Sequence, residues 1–149
     1  MALQFATPGA PPGQEVVLQE RLAQDRLDFS LESLKVVDDY LEDLRALGEE
    51  ALFRHSRFTA SMGRAGAYIG EVLIKSAPDK FQWISFEEAG ESGAPGISPD
   101  EPELWWFLTL RQQGDKLTWP INKVLKRIAN GEEDSIYGYG RWILNDAKN

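Results

Sequence analysis

The chain has 149 residues, 42% of them hydrophobic and 27% charged, with no cysteine and a formal net charge of -8. These proportions fit a single globular domain with a core of its own, and the missing cysteine excludes disulfides, thiolate metal sites and a Cys nucleophile. The acidic balance repels phosphate backbones, so the expected partner is a basic protein and not a nucleic acid.

Residues 1 to 13 carry Pro8, Pro11, Pro12, Gly9 and Gly13 and read as an extended, flexible arm ahead of one domain over 14–149. The opening lacks a basic stretch followed by an unbroken apolar run, so no secretory signal is expected. The strongest apolar run, Leu104 to Leu110, is far short of the ~20 residues a membrane span needs. A cytoplasmic chain without a membrane partner is the expectation.

From Gln14 to Arg26 the composition favours a helix with Val17, Leu18, Leu22 and Ala23 on one side. Ser30 suits an N-cap, and Leu31, Leu34, Val37, Leu41, Leu44 and Leu47 then recur at helical spacing until Gly48. A third helix starts at Phe58 or Thr59 and stops at Ser76, because Ala77 precedes Pro78. The period then changes. Lys80–Ala89 and Leu104–Gln113 are rich in aromatic and apolar residues and read as strands. A polar loop from Gly90 to Glu103 separates them, and Gly114-Asp115 turns the chain into a short third strand. The second strand starts apolar on both faces, which makes it the central one.

Pro120 opens a helix with Ile121, Val124, Leu125, Ile128 and Ala129 on one face, and Gly131 ends it. Asp134 or Ser135 caps a last helix that contains Gly138 and Gly140. The expected architecture is α+β: three N-terminal helices, a small three-stranded antiparallel sheet, and two C-terminal helices packed on it.

Within the third helix, Gly63, Gly66 and Gly70 do not form a phosphate loop, since no strand precedes them and no GK[ST] follows. Ala60, Gly63, Ala67 and Gly70 instead make a bare face that a neighbour can approach, or on which a second copy packs as a homodimer. On the other side Tyr68, Glu71 and Lys75 follow one another, with Glu71 and Lys75 spaced for an ion pair. If that side borders a cleft, Glu71 is the candidate general base and Tyr68 a hydrogen-bond donor. His55, the only histidine, stands between Arg54 and Ser56-Arg57, which suits a surface turn; a catalytic part with Ser56 or Ser61 is the alternative. No cofactor or metal is expected. The carboxylate runs Asp100, Glu101, Glu103 and Glu132, Glu133, Asp134 do not match an EF-hand. The tryptophans at 83, 105, 106, 119 and 142 are read as core, except that Trp105 and Trp106 must face opposite sides of a strand. An exposed one beside Asp100, Glu101 and Glu103 makes a candidate protein-binding surface.

The segments "GAYIGEVLI" and "WPINKVLKRIANGEEDSIYGY", with the aromatic strands between them, resemble small uncharacterised bacterial proteins. In those, a Gly-x-Tyr/Phe-x-Gly-Glu helix precedes a short sheet and a helix ending in Asn-Gly. The resemblance runs from the third helix onward and implies a bacterial, stand-alone domain, with no catalytic residues to carry over. The leading functional expectation is a non-enzymatic interaction protein, immunity-like in masking a basic toxin. The alternative is a small hydrolase or transferase with a cleft lined by Tyr68 and Glu71.

Overall fold

The computed structural model describes residues 1–8, 15–85, 87–88, 109–112 and 116–148. The class is α+β as expected. Four helices, α1 (Ala2–Ala6), α2 (Leu34–Ala46), α3 (Glu49–Arg54) and α4 (Phe58–Ser76), precede a sheet of β1 (Phe81–Ile84), β2 (Thr109–Gln112) and β3 (Lys116–Thr118). Two more follow, α5 (Pro120–Asn130) and α6 (Ile136–Lys148). The sheet is antiparallel in the order β1-β2-β3, with Trp83 opposite Leu110 and Arg111 opposite Leu117. The central place of the second strand is therefore as expected.

Local signals act where the sequence puts them. Ser30 accepts the Ser33 N–H at 3.2 Å and starts a 3₁₀ turn that runs into α2. Gly48, at φ +88°, ends that helix in a conformation glycine tolerates best. Pro120 occupies the first turn of α5, and Gly131 closes it at φ +76°.

Two N-terminal expectations are corrected. Residues 2–6 are helical, not an extended arm, and Phe5 is fully buried against α4. A short apolar segment takes up helix when a core receives its side chains. The helix expected over Gln14–Arg26 is instead two 3₁₀ turns, Gln19–Arg21 and Gln24–Arg26. Leu18 there is left-handed, at φ +52°, and breaks the helical path. The apolar stripe is real, with Val17 and Leu22 buried, but irregular backbone presents it.

The core has two parts. The larger lies among α1, α2, α4, α5 and the 16–29 segment, and includes Phe5, Leu34, Tyr40, Leu44, Ala65, Ile69 and Val124. The smaller joins the end of α4, the sheet and α6 through Leu73, Phe81, Leu110, Ile143, Leu144 and Ala147. Of the two C-terminal helices, α6 joins the sheet cluster through Ile143, Leu144 and Ala147 but packs mainly on α2, while α5 packs mainly on α4 and α2.

The glycines of α4 are packing glycines. A Cβ on Gly66 would strike the Ile121 side chain and lie 3.0 Å from its backbone nitrogen, so α5 crosses α4 there at close quarters. A Cβ on Gly70 would strike the Trp83 ring, and one on Gly63 would sit 2.7 Å from the Met1 side chain. The chain's own elements thus lie against Gly63, Gly66 and Gly70, while Ala60 is exposed.

Candidate functional site

Tyr68 and Glu71 do not line an open cleft. Tyr68 is fully enclosed, and its ring lies 4.7 Å from that of Phe29 and 5.5 Å from that of Phe5. Its hydroxyl accepts the Phe29 N–H at 3.0 Å and lies 2.7 Å from Ser33 Oγ, which itself donates to the Ser30 carbonyl at 2.6 Å. One set of protons satisfies all three, with Tyr68 donating to Ser33. Burial pushes the phenol upward from its ordinary pKa. Glu71, half-buried, accepts the Trp83 indole N–H at 2.8 Å. Lys75 reaches the Asp28 carbonyl at 3.4 Å, so the expected Glu71–Lys75 pair gives way to longer-range partners. His55 is exposed, and its Nδ1 accepts the Arg57 N–H at 3.1 Å. Ser61 is buried, donates to the Arg57 carbonyl and accepts the Val17 N–H at 2.9 Å. These side chains build structure rather than a nucleophile–base pair.

Around Tyr68 the structure assembles a socket that no sequence motif announced. Tyr40 donates to the Val17 carbonyl at 2.6 Å, and its ring lies edge-on to Phe5 at 5.6 Å. Val17 and Phe29 are thus each gripped by a tyrosine hydroxyl. Among the described residues, Leu18, next to the first, and Phe29 itself are the two non-glycine residues with positive φ, at +52° and +63°. Such conformations persist only where surrounding bonds hold them. The signal was present only as two tyrosines and an apolar stretch, far apart in sequence.

A second constellation joins α2, α5 and α6. Arg127, only 4% exposed, donates from Nε to Asp38 at 3.0 Å and from Nη1 to Glu42 at 2.8 Å. Asp38 also accepts the Ile136 and Tyr137 N–H groups at 2.7 and 2.9 Å and the Ser135 hydroxyl at 3.0 Å. A carboxylate of α2 therefore caps α6, where the helix dipole favours negative charge. Ser135 adds its own cap to the Gly138 N–H at 3.1 Å. Asp38 and Arg127 stand on different helices, and tertiary packing makes them partners. Asp134 bonds Lys123 and Asn130, which holds its carboxyl below the usual range. Among the described residues, no three His, Cys, Asp or Glu side chains converge as metal ligands.

At the surface, an open groove of about 270 Å³ lies between the ends of α2 and α5 and the start of α3. Leu52 and Ile128 form its apolar floor, and Arg45 and Glu49 its polar rim. Phe53, 54% exposed, follows Glu49 by one turn, and its ring lies 5.1 Å from that of Phe58. Leu47 is also exposed nearby in the chain. Trp142, expected in the core, is 67% exposed, because α6 turns Ile136, Gly140, Ile143 and Leu144 inward instead. The candidate surface of Trp105, Trp106, Asp100, Glu101 and Glu103 lies outside the described residues. No described helix is long and apolar enough to cross a membrane. No family model matches the chain, and neither a curated protein nor a solved structure is similar to it.

Proposed function

We propose that this chain is a non-catalytic interaction module that binds a basic protein partner, as an immunity protein masks a toxin. The observation that carries this reading is the corner of α2 and α3. There Leu47 and Phe53 expose apolar surface beside an open groove, with Glu49 and Glu50 next to them in the chain. An exposed aromatic ringed by charge is the composition of an interface anchor. The net charge of -8 adds long-range attraction for a cationic surface. Tyr68 and Glu71, on which a hydrolase or transferase reading rested, are committed to internal hydrogen bonds. We assign the chain to the cytoplasm, in keeping with its lack of cysteine.

The test is capture from the native host at low and high salt, with the wild-type chain and with Phe53→Ser. A stoichiometric basic partner, retained by the wild type at low salt and lost by the variant, is the expected result. Recovery of no such partner at either salt overturns the reading.

A further inference from the structure

We propose that α1 is a displaceable plug, and that the socket beneath it takes in trans the same N-terminal segment from a second copy of the chain. The inference is independent of the basic-partner reading.

Helix α1 has five residues. A helix that short has no stability of its own in water, since nucleation alone outweighs so few hydrogen bonds. It is helical because it is docked. The helix packs along α4, with Ala2 and Phe5 buried. Phe5 inserts its ring between Tyr40 and Tyr68, with nothing left exposed. The Met1 side chain lies over Gly63. Gln24 donates from one amide nitrogen to the Phe5 carbonyl at 2.9 Å and the Thr7 carbonyl at 3.0 Å. Against this, Leu3 is 69% exposed and Met1 more than half exposed, so much of the segment's apolar surface stays in water.

The walls of the socket hold themselves. Tyr40 is fixed by the Val17 carbonyl, Tyr68 by Phe29 and Ser33, and Ser61 by Val17 and Arg57, all without α1. The two strained residues, Leu18 and Phe29, belong to this wall, and neither is bonded to α1. The site is therefore built to receive an aromatic side chain and two carbonyls. The chain's own residues 1–7 demonstrate the fit. They are tied to the domain through "TPGAPPGQ", whose prolines and glycines separate the plug in sequence from the segment that forms the socket wall. A tether keeps the plug at high effective concentration, so a weak contact suffices within one chain and gives way to exchange when copies are concentrated.

The experiment uses the full-length chain carrying Phe5→Ala, titrated with a peptide of residues Met1–Thr7 and followed by NMR. Saturable shifts at Tyr40, Tyr68 and Gln24 are expected. The same peptide with alanine for phenylalanine should bind at least about 100-fold more weakly, the factor that loss of a buried Phe implies. A folded variant that does not take the peptide overturns the proposal. So does a variant that fails to fold, because the socket then does not stand without Phe5. Amide exchange on the wild type supplies a second reading. The Phe5 and Thr7 amides should exchange at least about 100-fold faster than those of Ile69 and Val72, through local opening. Equal protection of the two sets overturns the proposal as well.

Discussion

The N-terminal stretch Glu15–Phe29 and the C-terminal helices α5 and α6 are fastened to the same α2 and α4, but by different chemistry. The first hangs on the neutral hydroxyls of Tyr40, Tyr68 and Ser61, which bond main-chain groups of Val17 and Phe29, beside partly exposed ion pairs of Arg21 with Asp43 and of Glu15 with Arg57. The second hangs on carboxylates: Asp38 and Glu42 of α2 hold Arg127, Asp134 holds Lys123 across the turn after α5, and Asp146 holds α6 to Gln112 and Lys116 of the sheet. Irregular backbone offers N–H and C=O groups one at a time, and a hydroxyl can serve either. A helix start offers several N–H groups together, and a carboxylate serves them at once. The difference teaches that the type of polar anchor follows from the backbone it has to satisfy.

The largest effect should come from the carboxylate side. Asp38→Ala leaves Arg127 buried with Glu42 and the residue-38 carbonyl as its acceptors and strips the carboxylate cap from α6. Losses of about 3–5 kcal/mol are expected for breaking such a pair, read as the shift in the urea midpoint. Asp38→Asn should recover part of that, since an amide oxygen still accepts from the helix start. A loss below about 1 kcal/mol for Asp38→Ala would remove the contrast between the two regions.

On the hydroxyl side, Tyr68→Phe keeps the ring but leaves the Phe29 N–H without its acceptor. The expected cost is about 1–3 kcal/mol. Because the bond holds a left-handed residue in place, faster amide exchange at Phe29 than at Tyr40 should accompany it.

The glycines sharpen the comparison within helices. Gly66→Ala drives a methyl into the Ile121 backbone and should cost about 1–3 kcal/mol, despite the gain in helix propensity. Gly138→Ala meets only the Ser135 side chain at 3.5 Å and should stabilise by up to about 1 kcal/mol. Thermal melts of the two variants should therefore move in opposite directions.

The smallest effects are those of pH, and acid should separate the regions. Hydrogen bonds from Arg127, from Lys123 and from Gln112 with Lys116 hold Glu42, Asp134 and Asp146 below the usual carboxylate range. A depressed folded-state value means these groups contribute stability above their unfolded values, about pH 4 to 4.5, and lose it as pH falls through the folded ones. The tyrosines behave oppositely. Burial pushes Tyr139 up to about 12 and Tyr40 higher still, so their contribution is whole below about pH 10 and lost as pH rises beyond it. Protection of α6 amides should fall before protection around Val17 in acid, whereas in alkali both regions are affected, α6 through Tyr139 and the Val17 wall through Tyr40. Equal loss in acid would show a single cooperative unit.

Much of the fold could be read from residues close to one another. The span of α4, Phe58–Ser76, follows from its period and from Pro78; α5 follows from Pro120, its apolar spacing and Gly131. The change to strands at residue 80 and the central place of the second strand follow from residue type and from its two apolar faces. In each case the cause acts over one or two turns, or across one strand.

What the sequence alone determined was therefore where α2, α4 and α5 start and stop, together with the net charge and the missing thiols. Only the tertiary structure decided that Phe5 is buried, that Tyr68 is a clamp, that Arg127 lies inside and that Trp142 lies outside. Each of those outcomes depends on which distant surface arrives opposite a side chain. Asp38 and Arg127 meet from 89 residues apart, and no local pattern encodes that separation.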